Sequence, residues 1–288
     1  MFIIVGAVVV TASVLGGYAA LGGNLLVLSQ PFEAVIICGA AFGAYLIANP
    51  RPVLPRTMGA IMVILKGPKY DKDNYLELLM MMYQIFRLAK TKGMLALETH
   101  IEAPDESELF AQFPTLQGNH HVVVFLCDYL RMISLGTENP HELEALIDEE
   151  IETHHHELTQ VTSAVTVVAD GLPALGIVAA VLGVIKTMGS ITEPPEILGK
   201  LIGGALVGTF LGVFVAYGFV GPVANAMTAL ADSETKYYYC IKAGLLAYLA
   251  GHPPAIAIEC ARKALLSEVR PTFYELEDAV GEMTPVTA

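Results

Sequence analysis

The order of apolar and polar positions divides this chain into long apolar runs and one mixed region. An apolar run over residues 2–21 gives way to Gly22-Gly23-Asn24, and a second run, 34–48, ends at Asn49-Pro50-Arg51. Gly, Asn and Pro are turn formers, so the two runs read as helices joined by a short loop. After the mixed region, 163–185 is apolar apart from Thr166 and Asp170, and 201–226 is apolar apart from Thr209, Tyr217 and Asn225. A helix of about 20 apolar residues crosses a bilayer, so the pattern predicts four transmembrane helices. The connector 186–200, with Glu193-Pro194-Pro195-Glu196, is a turn too short to form a domain.

Inside the mixed region the apolar residues fall at helical spacing. Residues 73–97 and 121–135 alternate apolar stripes with charges. Asn139-Pro140-His141-Glu142 has the order of a helix start, with Asn as N-cap, Pro at the first position and Glu at the third. Leu143, Leu146, Ile147 and Ile151 then share one side, which predicts an amphipathic helix leading into the third span. No strand-rich stretch competes. The expected fold is an all-α membrane protein with four transmembrane helices and a cytoplasmic helical domain. Its parts are helices one and two (1–50), the helical domain (51–160), helices three and four (161–226) and a cytoplasmic tail (227–288).

Composition agrees with that pattern. Of 288 residues, 54% are hydrophobic and 16% charged, against about 25% charged in an average soluble domain. Residues 1–32 and 201–231 carry no Asp, Glu, Lys or Arg. A net charge of −13 excludes the concentrated basic footprint of a nucleic-acid binder. Cys38, Cys127, Cys240 and Cys260 form no close pair and read as isolated thiols. The first apolar run lacks the basic start and cleavage site of a signal peptide, so it is expected to stay as a membrane helix. Nine Lys and Arg lie in 51–160 and five after 226, while the connector has only Lys186 and Lys200. Such residues are retained on the cytoplasmic side, so the large loop and both termini are expected there.

Candidate chemistry is sparse. His154-His155-His156 invites a metal reading, but adjacent helical residues point about 100° apart and do not converge on one ion. The run reads as a solvated face near the membrane surface. No GxSxG, P-loop or HExxH pattern supports an enzyme or a resident cofactor. Gly204, Gly208, Gly212 and Ala216 make a small-residue ridge in helix four, and Ala12, Gly16 and Ala20 make one in helix one. Such ridges let helices approach closely in lipid; two of them point toward packing against other chains. Asp170 and Glu33 lie near the ends of their spans, so an ion path would need a partner's carboxylate at mid-membrane. Thr209 offers a hydroxyl to an ion or to its own helix. Pro173 and Pro222 each remove a backbone donor and permit a kink.

Several stretches resemble the MotA family of flagellar-motor stator subunits. They are Gly16-Gly17-Tyr18, Gln30-Pro31-Phe32-Glu33, Lys92-Gly93-Met94-Leu95-Ala96-Leu97-Glu98, Asp148-Glu149-Glu150-Ile151-Glu152, the run 172–180, Val207-Gly208-Thr209-Phe210-Leu211-Gly212, Arg262-Lys263 and Arg270-Pro271. The resemblance covers nearly the whole chain. It implies five copies around the membrane helices of a MotB dimer, which brings the protonatable aspartate and a peptidoglycan-binding domain. It also implies that the cytoplasmic domain pushes on the rotor protein FliG through Lys90 and Glu98. Pro173 and Pro222 match the family's functional prolines, and Pro173, Ala180 and Thr209 are expected to line or gate the ion path. Sodium-driven relatives place Thr where this chain has Ala180, so a proton is the expected ion. The alternatives are an ExbB/TolQ-like energiser of outer-membrane processes, typically with three spans, and a membrane scaffold without ion flow.

Overall fold

The computed structural model describes residues 2–67, 70–137 and 139–283. In chain order its α-helices are α1 Phe2–Ala20, α2 Pro31–Ala48, α3 Val53–Lys66, α4 Lys72–Lys92, α5 Met94–Glu102, α6 Pro114–Gln117, α7 His120–Ser134, α8 Pro140–Met188, α9 Pro195–Val215, α10 Gly221–Leu249, α11 Pro254–Lys263 and α12 Phe273–Glu282. A π-helical segment, Ala216–Val220, joins α9 to α10, and no strand occurs among the described residues. Among the described residues, four stretches are long and apolar enough to cross a membrane: Phe2–Ala20, Leu25–Ala48, Pro140–Met188 and Pro195–Leu249.

The helix start expected at Asn139 forms. The Asn139 side-chain oxygen accepts from the His141 N–H at 3.1 Å, and its amide donates to Glu142 at 2.9 Å. Pro140 needs no partner for an N–H it lacks. From there α8 continues without a break for 49 residues, so the amphipathic helix and the third span are one element.

Two compact units result, 1–67 with 157–231 and 68–156 with 232–288. Residues 51–67 cluster with the membrane helices, whereas the sequence pattern places them in the helical domain. The cause is α3, which packs Ile64 with Val161, Val165 and Ala224, and Val53 with Tyr45 and Ala164. A buried hydrogen bond of 2.8 Å between the Tyr45 and Thr57 hydroxyls fixes α3 to α2.

In the first unit, α8 and α9 pack as backbone against backbone. Large apolar side chains elsewhere on these helices, such as Val167, Ile177, Leu206 and Val213, are exposed, as are Phe2 and Ile47. That distribution suits lipid or other membrane helices as surroundings. The second unit instead closes around a water-excluding core that includes Tyr75, Leu78, Phe86, Leu97, Ile101, Phe110, Leu126, Leu143 and Ile241. One partly buried polar group beside it is held by charge. Lys242 reaches Asp148 at 2.7 Å and Glu144 at 3.0 Å. Burial alone would lower the lysine's proton affinity, and the two carboxylates reverse that and raise it.

Candidate functional site

Three of the residues singled out in the membrane helices lie along one seam. A Cβ built on Gly212 would meet the Leu172 carbonyl oxygen at 2.6 Å and the Gly176 Cα at 2.9 Å. On Gly208 it would meet the Ala179 Cβ and the Ala180 nitrogen, both at 3.1 Å. Gly183 faces Ala205 in the same way, at 2.7 Å. Only glycine and alanine allow this approach. It sets Pro173 beside the Leu172–Gly212 contact, and brings Ala180 to the level of Gly208 and Thr209.

The seam also corrects one expectation. The ridge of helix four is consumed inside the chain, with Gly208 and Gly212 against α8 and Gly204 beneath the Gln30 amide at 3.1 Å. The ridge of α1 differs, since a Cβ on Gly16 would meet nothing within 4 Å.

The hydroxyl of Thr209 has two possible employments, its own helix or another group. Thr11, Thr57, Thr162, Thr166, Thr187 and Thr228 each donate to the carbonyl four residues back. Thr209 makes no such bond among the described residues. Its half-buried hydroxyl is therefore available to whatever lies against that face. Asp170, read from sequence as near a helix end, is an exposed carboxylate on α8.

Pro222 is the second residue of α10, which follows the π segment. Lacking an N–H, it offers nothing to the Gly218 carbonyl, and its ring crowds that oxygen. The chain widens instead, with the Gly221 N–H donating to the Ala216 carbonyl, five residues back. Gly218 leaves room there for Val10 of α1, whose Cγ1 stands 3.1 Å from a notional Cβ. Pro222 is thus associated with a π turn, where sequence alone suggested a kink.

In the second unit, Lys90 lies in the last turn of α4 and Glu98 on α5. Residues eight apart in one helix would lie within about 80° of each other, but Gly93, at φ +87°, separates the two helices and no shared helical face forms. Lys90 is exposed, Glu98 half-buried, and neither makes an ion pair or hydrogen bond among the described residues. The same unit holds a residue that sequence reading missed. Arg131 of α7 binds Glu102 of α5 and Asp128, each at 2.6 Å. The Arg131 guanidinium holds the Glu102 carboxyl below its ordinary value of 4.5. A depressed carboxylate stabilises above its unfolded value and loses that contribution as pH falls through the folded one. The clamp on α5 is therefore intact near neutrality and opens only in acid. Arg131→Ala should speed amide hydrogen exchange in α5 at neutral pH while leaving the melting temperature of the unit nearly unchanged; unaltered exchange would show that the clamp does not hold α5.

The histidine run does not form a uniform solvated face. The His154 ring meets the Tyr238 ring edge-on at 4.9 Å, and His155 Nδ1 lies 2.9 Å from the Thr235 hydroxyl. His156 remains exposed. The signal that turns two of them inward is on α10, some 80 residues later.

These features define a class: a polytopic helical membrane protein with a glycine-packed helix pair and a separate helical unit carrying charges unpaired among the described residues. Residues 4–93 match the family described as Motility protein A N-terminal, and 119–239 the MotA/TolQ/ExbB proton channel family. The chain is 44% identical over 280 residues to "Motility protein A" of Salmonella typhimurium strain LT2, covering 97% of this chain and 95% of that one. It resembles the flagellar MotAB stator complex from Bacillus subtilis at 25% identity and TM-score 0.71, covering 89% of this chain and 92% of that one. The fold is also that of Campylobacter jejuni MotAB ("C. jejuni MotAB"), with TM-score 0.76 at 20% identity, over 92% and 96% of the two chains. The chain belongs to the motility protein A family, the stator subunits of the bacterial flagellar motor. The N-terminal match sets it apart from the ExbB/TolQ alternative, since the channel-family match alone covers both groups.

Proposed function

We propose that this chain assembles, as five copies around a MotB dimer, into a proton-conducting stator that turns against FliG. Its place is the bacterial inner membrane, with both termini and the 51–160 region cytoplasmic, as the distribution of Lys and Arg favours. The observation that carries the reading is the α8–α9 seam, which sets Ala180 level with the unbonded Thr209 hydroxyl. Asp170 is the one acidic residue within 163–185 and 201–226, so a titrating carboxylate at mid-membrane falls to the partner. The relatives of known structure are themselves MotAB complexes.

The seam favours a proton over sodium. A sodium ion needs several oxygens to replace its water, whereas a proton moves along water and a single carboxylate. The Ala180 methyl supplies no oxygen, and Thr209 supplies one. Neutralising the partner's aspartate removes a charge from a low-dielectric site, and the helices bearing Pro173 and Pro222 follow that change. Swimming speed should be indifferent to external sodium and collapse with a protonophore at a fixed sodium gradient. A speed that rises and saturates with sodium would reverse the choice of ion.

Lys90 and Glu98 are the rotor-contact charges in this reading, supported by their lack of partners among the described residues. Lys90 is exposed and neither residue has an ion pair to lose among the described residues, so their reversal spares the fold. The Lys90→Glu, Glu98→Lys double variant should reach the membrane in normal amount and swim poorly. Full swimming with an unaltered FliG would remove the assignment.

A further inference from the structure

Helix α5 is nine residues long and two-sided. Leu97 and Ile101 are fully buried in the core of the second unit, and Met94 packs against it. The opposite stripe, at helical spacing, is Leu95, Glu98, Thr99 and Glu102. Leu95 is 77% exposed. A single exposed leucine is ordinary on a protein surface. This one differs in its company, for it stands three residues from the unpaired Glu98 on the same face. Across the Gly93 break is the exposed, unpaired Lys90.

We propose that Leu95 is the apolar anchor of the rotor contact, seated in an apolar recess of the rotor protein bordered by one basic and one acidic side chain. The inference rests on the assignment of Lys90 and Glu98 to that contact and adds a division of labour within it. Exposed charges steer association and fix register, and salt screens them. Burial of an apolar side chain is not screened, and it sets how long the contact lasts. Gly93 serves this arrangement: at φ +87° it ends α4 and starts α5 afresh, so that Leu95 opens a new outward stripe. The contact must also break at every step of rotation. One leucine between two charges gives grip without permanence.

The experiment measures binding of purified rotor protein FliG to the full stator complex in nanodiscs, at low and at high ionic strength. Leu95→Ala should weaken binding about tenfold at both, and Leu95→Met should restore it. Leu135→Ala, equally exposed on the same unit, should bind as the parent does. Lys90→Glu should weaken binding at low ionic strength only. If Lys90→Glu weakens binding and Leu95→Ala does not, or does so only at low ionic strength, the anchor is refuted and the charge assignment stands. If neither variant changes binding, the whole rotor-contact reading falls.

Discussion

A Gly212→Val variant is expected to be non-motile, with the subunit depleted from the membrane. The Gly212 site has no slack, because a first side-chain atom already lands 2.6 Å from the Leu172 carbonyl oxygen and 2.9 Å from the Gly176 Cα. Both obstacles are backbone, so no rotamer change relieves the clash. Either α8 and α9 part or one of them bends, and overpacking of this kind costs about 3 kcal/mol or more. Parting them also separates Gly208 from Ala179 and Ala180, and the remaining contacts of the seam are lost together. Gly199→Ala provides the control on the same helix, since a Cβ there meets nothing within 4 Å. It should swim normally, and immunoblots of the membrane fraction with swimming speeds compare the two directly. Normal abundance and speed of Gly212→Val would mean that the seam is not the packing that holds this unit together.

The same glycines show how far the sequence could be read. Four spans follow from hydropathy because lipid demands long uninterrupted apolar runs whatever the tertiary packing. The start of α8 was equally legible, since Asn139, Pro140 and Glu142 act on their own neighbours. The partner of a small-residue ridge is a different kind of fact. Gly208 and Gly212 would pack as well against a second chain as against Gly176 and Ala179, and only the three-dimensional structure says that α8 takes the place. His154 and His155 were misread for a related reason: Tyr238 and Thr235, which receive them, are far away in the chain.

Lys90 and Glu98 stand out through resemblance alone, and their surroundings come from the structure. Their spacing of eight is compatible with one face of a continuous helix, and it is Gly93, at φ +87°, that rules this out by ending α4. Arg131 gave no signal at all, because an arginine on an amphipathic helix looks like any solvated charge until Glu102 and Asp128 are seen at 2.6 Å. Thr209 lies between these cases. Its position in the span was plain, but whether it bonds its own helix is a question of local geometry that six other threonines answer the opposite way.

The π segment was invisible to sequence reading, yet it makes the second large prediction. Ala216 is buried among Ile37, Ala41, Leu172 and Ala179, and Ala224 among Ile64, Val161, Val165 and Met227. Both alanines therefore face α8, at two levels. Eight residues of α-helix advance about 800°, two turns and about 80° more, so in a regular helix Ala224 would point aside when Ala216 points inward. A π turn holds more residues per turn and takes up that excess, and Pro222 keeps it in place by denying the Gly218 carbonyl its usual donor. Deleting Tyr217, which is 68% exposed and packs little, removes the extra residue and lets α9 run into α10 as continuous α-helix. The register of the helix is kept, but the Pro222 ring then clashes with a regular turn, and Gly218 no longer receives Val10 of α1. The deletion should abolish swimming while Pro222→Ala, which restores a donor without removing a residue, slows it. Both should reach the membrane, because the buried alanines still face α8. Swimming of the Tyr217 deletion at parental speed would show that the π turn is a passive feature of packing rather than the place where the helix yields.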